Sequence, residues 1–136
     1  MAIQSVHYQG KGYVVTRRMK VGSGGLDARN VVMLATTDST GNTVIKATAT
    51  AADVDAYAGI YMGDTPASEG DWVDVAVPVR GVVVKARCSA LLVVGDPVET
   101  EADGEVGPDG GTGLAIGIAL ETGDGANSFA NIMLTG

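Results

Sequence analysis

The chain has 136 residues, with 20 glycines, one cysteine, six aromatic residues and a formal net charge of −7. That length suits one ordinary domain. A single Cys88 excludes an intrachain disulfide framework and a cysteine-based zinc site, and an acidic balance argues against a dedicated nucleic-acid binder. No apolar run approaches the roughly 20 residues needed to cross a bilayer, so no membrane partner is expected.

The charge divides unevenly along the chain. Residues 1–30 carry Lys11, Arg17, Arg18, Lys20 and Arg29 against Asp27 alone, a balance of +4, which leaves −11 for the rest. Gly10, Gly12 and the run Gly22-Ser23-Gly24-Gly25 break up the first segment, and one strand is expected at Tyr13–Lys20. Residues 1–29 therefore read as an extended basic arm ending in a flexible joint, and 30–136 as a single β-rich domain.

From Asn30 onward strand follows strand. Val31–Leu34 and Thr43–Ala47 flank the turn-forming loop Asp38-Ser39-Thr40-Gly41-Asn42, which predicts a hairpin. The only expected helix is short, at Thr50–Tyr57, with Thr50 as its N-cap. Trp72–Val77 alternates at period two, placing Trp72, Asp74 and Ala76 on one face and three valines on the other. Gly81–Ala86 is a continuous apolar run and reads as a strand buried on both faces.

A short internal repeat is visible. Ala58-Gly59-Ile60-Tyr61-Met62 resembles Ile116-Gly117-Ile118-Ala119-Leu120, and Trp72–Val77 matches Phe129–Leu134. Each unit is an apolar strand containing Gly, a Gly-rich acidic turn, and an alternating strand led by an aromatic. Such units can pack as related halves of one small barrel or sandwich.

No catalytic set emerges. Gly22-Ser23-Gly24-Gly25 lacks the Lys-Ser/Thr of a phosphate-binding loop, and Gly111-Thr112-Gly113 opens a strand rather than a helix. The run Glu99, Glu101, Asp103, Glu105, with Asp109 beyond, departs from calcium-loop spacing and reads as a solvated acidic hairpin tip. His7 is the only histidine. Cys88 reads as a small core residue despite its neighbour Arg87. Asp71 and Asp74 look like the wet face of a strand, and aromatics for sugar stacking are scarce. The chain is expected to be non-enzymatic, with no metal and no cofactor.

The order of short signatures resembles that of tailed-phage capsid decoration (cement) proteins with a lambda-like head decoration fold. The signatures are Thr43–Ala47, Ala58-Gly59-Ile60, Glu69–Val75, Gly81–Val84, Gly95-Asp96-Pro97-Val98, Asp103–Val106 and Ile116–Glu121, with a closing apolar strand. The resemblance implies a mainly β fold of β-barrel or β-sandwich type (β-tulip), with at most one or two short helices. It implies a virion protein, from a bacteriophage or an archaeal tailed virus, on the outer capsid surface. There it would bind the major capsid protein, bridge neighbouring subunits and stabilise the head, as a homo-trimer or other homo-oligomer. Tyr8, Arg17, Arg18, Lys20 and Arg29 are then the expected capsid contacts, and deleting residues 2–25 is expected to abolish docking while leaving the body folded. A tail or connector accessory, or a sugar- or peptide-binding β domain, is the alternative.

Overall fold

The computed structural model describes residues 4–8, 13–50 and 56–135. The thirteen strands are β1 (Gln4–Tyr8), β2 (Tyr13–Val21), β3 (Val31–Leu34), β4 (Thr43–Lys46), β5 (Tyr57–Tyr61), β6 (Trp72–Ala76), β7 (Val83–Arg87), β8 (Leu91–Leu92), β9 (Pro97–Thr100), β10 (Val106–Pro108), β11 (Ala115–Ala119), β12 (Gly123–Asp124) and β13 (Phe129–Leu134). One 3₁₀ turn, Ala102–Gly104, interrupts them. The fold is mainly β, as expected. The helix expected at Thr50–Tyr57 falls largely on 51–55, outside the described residues, and Tyr57 itself opens β5.

The first sheet closes on itself. β2 pairs antiparallel with β6 and parallel with β4, and β4–β3, β3–β5 and β5–β6 complete the ring. β1 hangs on the outside as a hairpin partner of β2. Alternation in the sequence decides which side chains fill the ring. Met19, Val21, Val32, Val44, Val73 and Val75 are buried together, and Leu26 and Ala67, joined by a two-way backbone bridge, cover them. From Tyr13 onward the segment expected as an arm is thus woven into the barrel. Along β2 the buried positions change face: Val14 and Thr16 are buried on one side and Met19 and Val21 on the other, with Arg17 and Arg18 between them.

The second sheet repeats the first. Its order, β10-β9-β11-β13-β7, matches β4-β3-β5-β6-β2 strand for strand in chain order. Even the closure recurs: Cys88, just beyond β7, forms a parallel bridge with Val106 of β10. The β8–β12 pair of Leu92 with Gly123 stands where Leu26 meets Ala67. The molecule is two five-stranded barrels of one topology, the second closed by that single bridge. Its core is continuous: Val84, Ala86, Cys88, Val98, Ile132 and Leu134 fill it, and Val14, Val31, Ile60 and Ala76 from the outside of the first barrel pack against them.

The sequence repeat marks this duplication at its tightest points. An added Cβ at Gly59 would lie 1.9 Å from the Ala76 carbonyl oxygen, and one at Gly117 would lie 2.4 Å from that of Met133. Both glycines sit beside a register shift in their strand's other pairing. The bare glycine lets the neighbouring backbone close in where the strand bends.

Two expectations change in detail. The Gly81–Ala86 run is not buried on both faces, because Lys85 and Arg87 of β7 point outward. The acidic run is not a solvated tip throughout. Glu99 is 2% exposed, and its carboxylate accepts hydrogen bonds from the Gly113 amide at 2.8 Å and the Thr112 hydroxyl at 3.4 Å. Burial pushes its pKa up, but the Gly110 and Gly113 amides, with Asp109 and Thr112, outweigh it and hold the carboxyl below its ordinary value. Glu99 thereby ties the Gly-rich 109–113 loop to β9, and Glu105 faces Arg87 at 3.6 Å.

Candidate functional site

The outward face of β2 and β6 extends past the cover of the second barrel. There Lys20 is the register partner of Trp72, and Arg18 of Asp74. Cross-strand partners stand about 5 Å apart at Cβ, and Arg18 meets Asp74 at 3.4 Å. The loop between β3 and β4 rises beside them. It adds Thr37, Asp38, Thr40 and Asn42 to Lys20 and Trp72, enclosing a shallow cleft of about 530 Å³.

The loop wall is rigid for a reason written in its sequence. Asp38 Oδ1 accepts the Thr40 amide at 2.9 Å and the Thr40 hydroxyl at 2.6 Å, while Oδ2 accepts the Thr43 hydroxyl. This is the local side-chain-to-backbone bonding that Asp provides in turns. Arg17 secures the other end, donating from Nη2 to the Gly41 carbonyl at 2.9 Å and to Asn42 Oδ1 at 3.3 Å. Among the described residues no side-chain hydrogen bond or ion pair engages the Asn42 amide nitrogen or the Lys20 ammonium, though the Lys20 charge acts on Asp38.

The hydroxyl and amide donors lower the Asp38 pKa from 3.8 to about 2, the Thr40 hydroxyl acting most strongly and the Lys20 charge least. A depressed carboxylate contributes stability that is present above its ordinary pKa and lost as pH falls through the folded value. Asp38→Asn is therefore expected to melt lower than the parent at neutral pH, with the gap closing as pH falls from about 4 to about 2. Thermal melts at stepped pH check this; a gap that persists unchanged at pH about 2 contradicts the bonding described.

The other residues expected to act are dispersed. Arg18 pairs with Asp74 at 3.4 Å, and half-buried Arg29 pairs with Asp64 at 2.9 Å. Tyr8 lies in β1 opposite Tyr13. Arg17, Arg18 and Arg29 thus have partners inside the molecule. Only Lys20 of the cluster faces solvent unpaired, and it does so in the cleft. Cys88 is fully buried, and desolvation pushes its thiol pKa up, which suits the core role read from the sequence.

A second surface stands out on the other barrel. Leu91, Val93, Val94 and Leu120 are 58%, 53%, 60% and 38% exposed. The turn holding Val93 and Val94 is fixed by Asp96, whose carboxylate accepts the Val93 amide at 3.0 Å. Backbone bonds from Gly95 to Ala119 and from Ala119 to Asp96 bring it against the end of β11, next to Leu120. The sequence shows these residues only as strand-flanking apolars, and nothing in their order foretells that they share a tip.

No family model and no curated protein matches the chain in sequence. In structure it is similar to the N base of the head fibre gp8.5 of bacteriophage phi29, with a TM-score of 0.65 and 15% identity. The match covers 90% of this chain and 94% of that one, so both barrels take part. That likeness establishes a shared fold.

Proposed function

We propose that the protein is a structural component of a tailed-virus particle that sits on the outer surface of the head, bound to the major capsid protein and bridging its neighbours. The observation that carries this reading is the fold shared along 90% of the chain with a head-fibre base. The order of sequence signatures supports it independently.

Docking falls to the apolar tip of the second barrel. Contiguous exposed aliphatic side chains on a soluble domain mark interaction surfaces. Here they are displayed on a turn already locked by Asp96, so little ordering cost remains to be met on binding. The acidic remainder of the surface stays in solvent and keeps copies apart.

Mixing the purified protein with heads assembled without it tests the proposal. The parent is expected to co-sediment and to raise the temperature at which heads rupture. Val93→Asp combined with Val94→Asp is expected to weaken co-sedimentation about tenfold or more, since central apolar contacts dominate interface energy. Full binding by that variant overturns the docking assignment. So does a variant that alters sedimentation of the free protein but not head binding, because the tip then joins copies of the chain.

A further inference from the structure

We infer that the cleft at Trp72 is a saccharide-binding site, taking one pyranose ring of a glycan against the indole face. The inference is separate from head docking, which uses the opposite barrel.

The duplication supplies the internal comparison. Strand for strand, Lys20 and Trp72 on β2 and β6 correspond to Arg87 and Phe129 on β7 and β13, each pair in direct register. In the second barrel this position is filled. Arg87 lies 5.8 Å from the Phe129 ring centroid, donates to Asn127 Oδ1 at 2.8 Å and faces Glu105 at 3.6 Å. The β9–β10 connection that supplies Glu105 is short. In the first barrel the corresponding β3–β4 connection is longer, and it lines the cleft together with the aromatic. Lys20 gains no such partners, and a cleft of about 530 Å³ is left in their place.

The chemistry of that cleft fits a sugar better than a peptide. Trp72, 44% exposed, is its one large apolar surface, and every other lining group is polar. An indole face is apolar and carries a negative quadrupole, so it attracts the partially positive C–H face of a pyranose. Hydroxyls of the ring then need both donors and acceptors around the rim. Lys20 Nζ and Asn42 Nδ2 supply donors, the Thr37 hydroxyl serves as either, and the Thr40 hydroxyl, its proton given to Asp38, accepts. Asp38, anionic down to a pH of about 2, offsets the Lys20 charge, so no strong field selects a polyanion. A peptide side chain would find only one apolar wall here. Its backbone would find no free sheet edge, because β2, β4 and β6 are paired on both sides.

Trp72 is the only tryptophan in the chain, so its fluorescence reports on the site directly. Titrating the full-length protein with maltotriose, chitotriose and a galactose trimer is expected to give a saturable change with at least one of them, at millimolar or lower dissociation constant. By ligand-observed NMR, Trp72→Ala is expected to weaken that binding about tenfold or more, and Lys20→Met to weaken it less. Phe129→Ala, the equivalent change in the other barrel, is expected to leave it unaltered. Unchanged melting curves for these surface variants separate loss of binding from loss of fold. Silence toward all three saccharides overturns the inference. So does binding that survives Trp72→Ala, or a response confined to an acidic or apolar peptide control. Head co-sedimentation is expected to be the same for Trp72→Ala and the parent, which keeps this test distinct from that of docking.

Discussion

A chain that begins at Leu26 is expected not to fold its first barrel. The removed residues include all of β2, the strand bonded to β6 on one side and β4 on the other. Without it the ring is open at both seams. Met19 and Val21 leave the interior, and Val14 leaves the contact with the second barrel; each is 1% exposed. Burial of three such side chains is worth about 5–9 kcal/mol, comparable to the whole stability of a small domain. The expected result is loss of strand signal in circular dichroism, a red shift of Trp72 emission and rapid proteolysis between residues 31 and 76. Removing only residues 2–12 spares β2 and is expected to have far less effect. A truncation at Leu26 that melts cooperatively near the parent temperature would show that β2 is dispensable.

The second large effect is expected at Gly59. Its φ is +134°, and an added Cβ would stand 1.9 Å from the Ala76 oxygen and 2.9 Å from the Ala76 carbonyl carbon. Those atoms are backbone of β6, so relief requires parting β5 from β6 rather than turning a side chain. Gly59→Ala is expected to cost about 3 kcal/mol or more, from strain and lost strand pairing together. Gly41→Ala makes the control. There φ is +70° and no atom lies within 4 Å of the new Cβ, so the cost is only the conformational one, about 1 kcal/mol. Gly117→Ala, 2.4 Å from the Met133 oxygen without a positive φ, is expected to fall between them. Urea titrations of the three variants give the order, and equal midpoints for Gly59→Ala and Gly41→Ala would refute the close-approach argument.

Local pattern carried much of the fold into the sequence. Val31–Leu34 and Thr43–Lys46 pair as the hairpin that their turn residues announce, and Trp72–Ala76 alternates as its spelling requires. The repeat around Gly59 and Gly117 was readable because close approach of two backbones leaves glycine little substitute. What stayed hidden is non-local. The parallel β2–β4 seam joins segments more than twenty residues apart and leaves no periodic signature. For the same reason residues 13–21 read as an arm: charge dominated the composition, while burial of Val14, Thr16, Met19 and Val21 depended on strands yet to come. The cleft was equally hidden. Trp72, Lys20 and Asp38 lie on three different elements, and only barrel closure brings them to one place. Glu99 gave no sign of burial because its firmest partners are backbone amides of a loop, which any sequence possesses.

Ring closure also bears on how many copies can be crowded together. An open sheet offers a row of unsatisfied amides and carbonyls to any neighbour, and at high local density such rims zip into fibrils. Here the rims of the first sheet are consumed by the β2–β4 seam, and those of the second meet at Cys88 and Val106. Among the described residues of the first sheet, β1 alone keeps a free side. Where copies are packed closely, strand-to-strand fusion through the first barrel would have to start at β1, and through the second along β7 or β10, whose rims a single bridge joins.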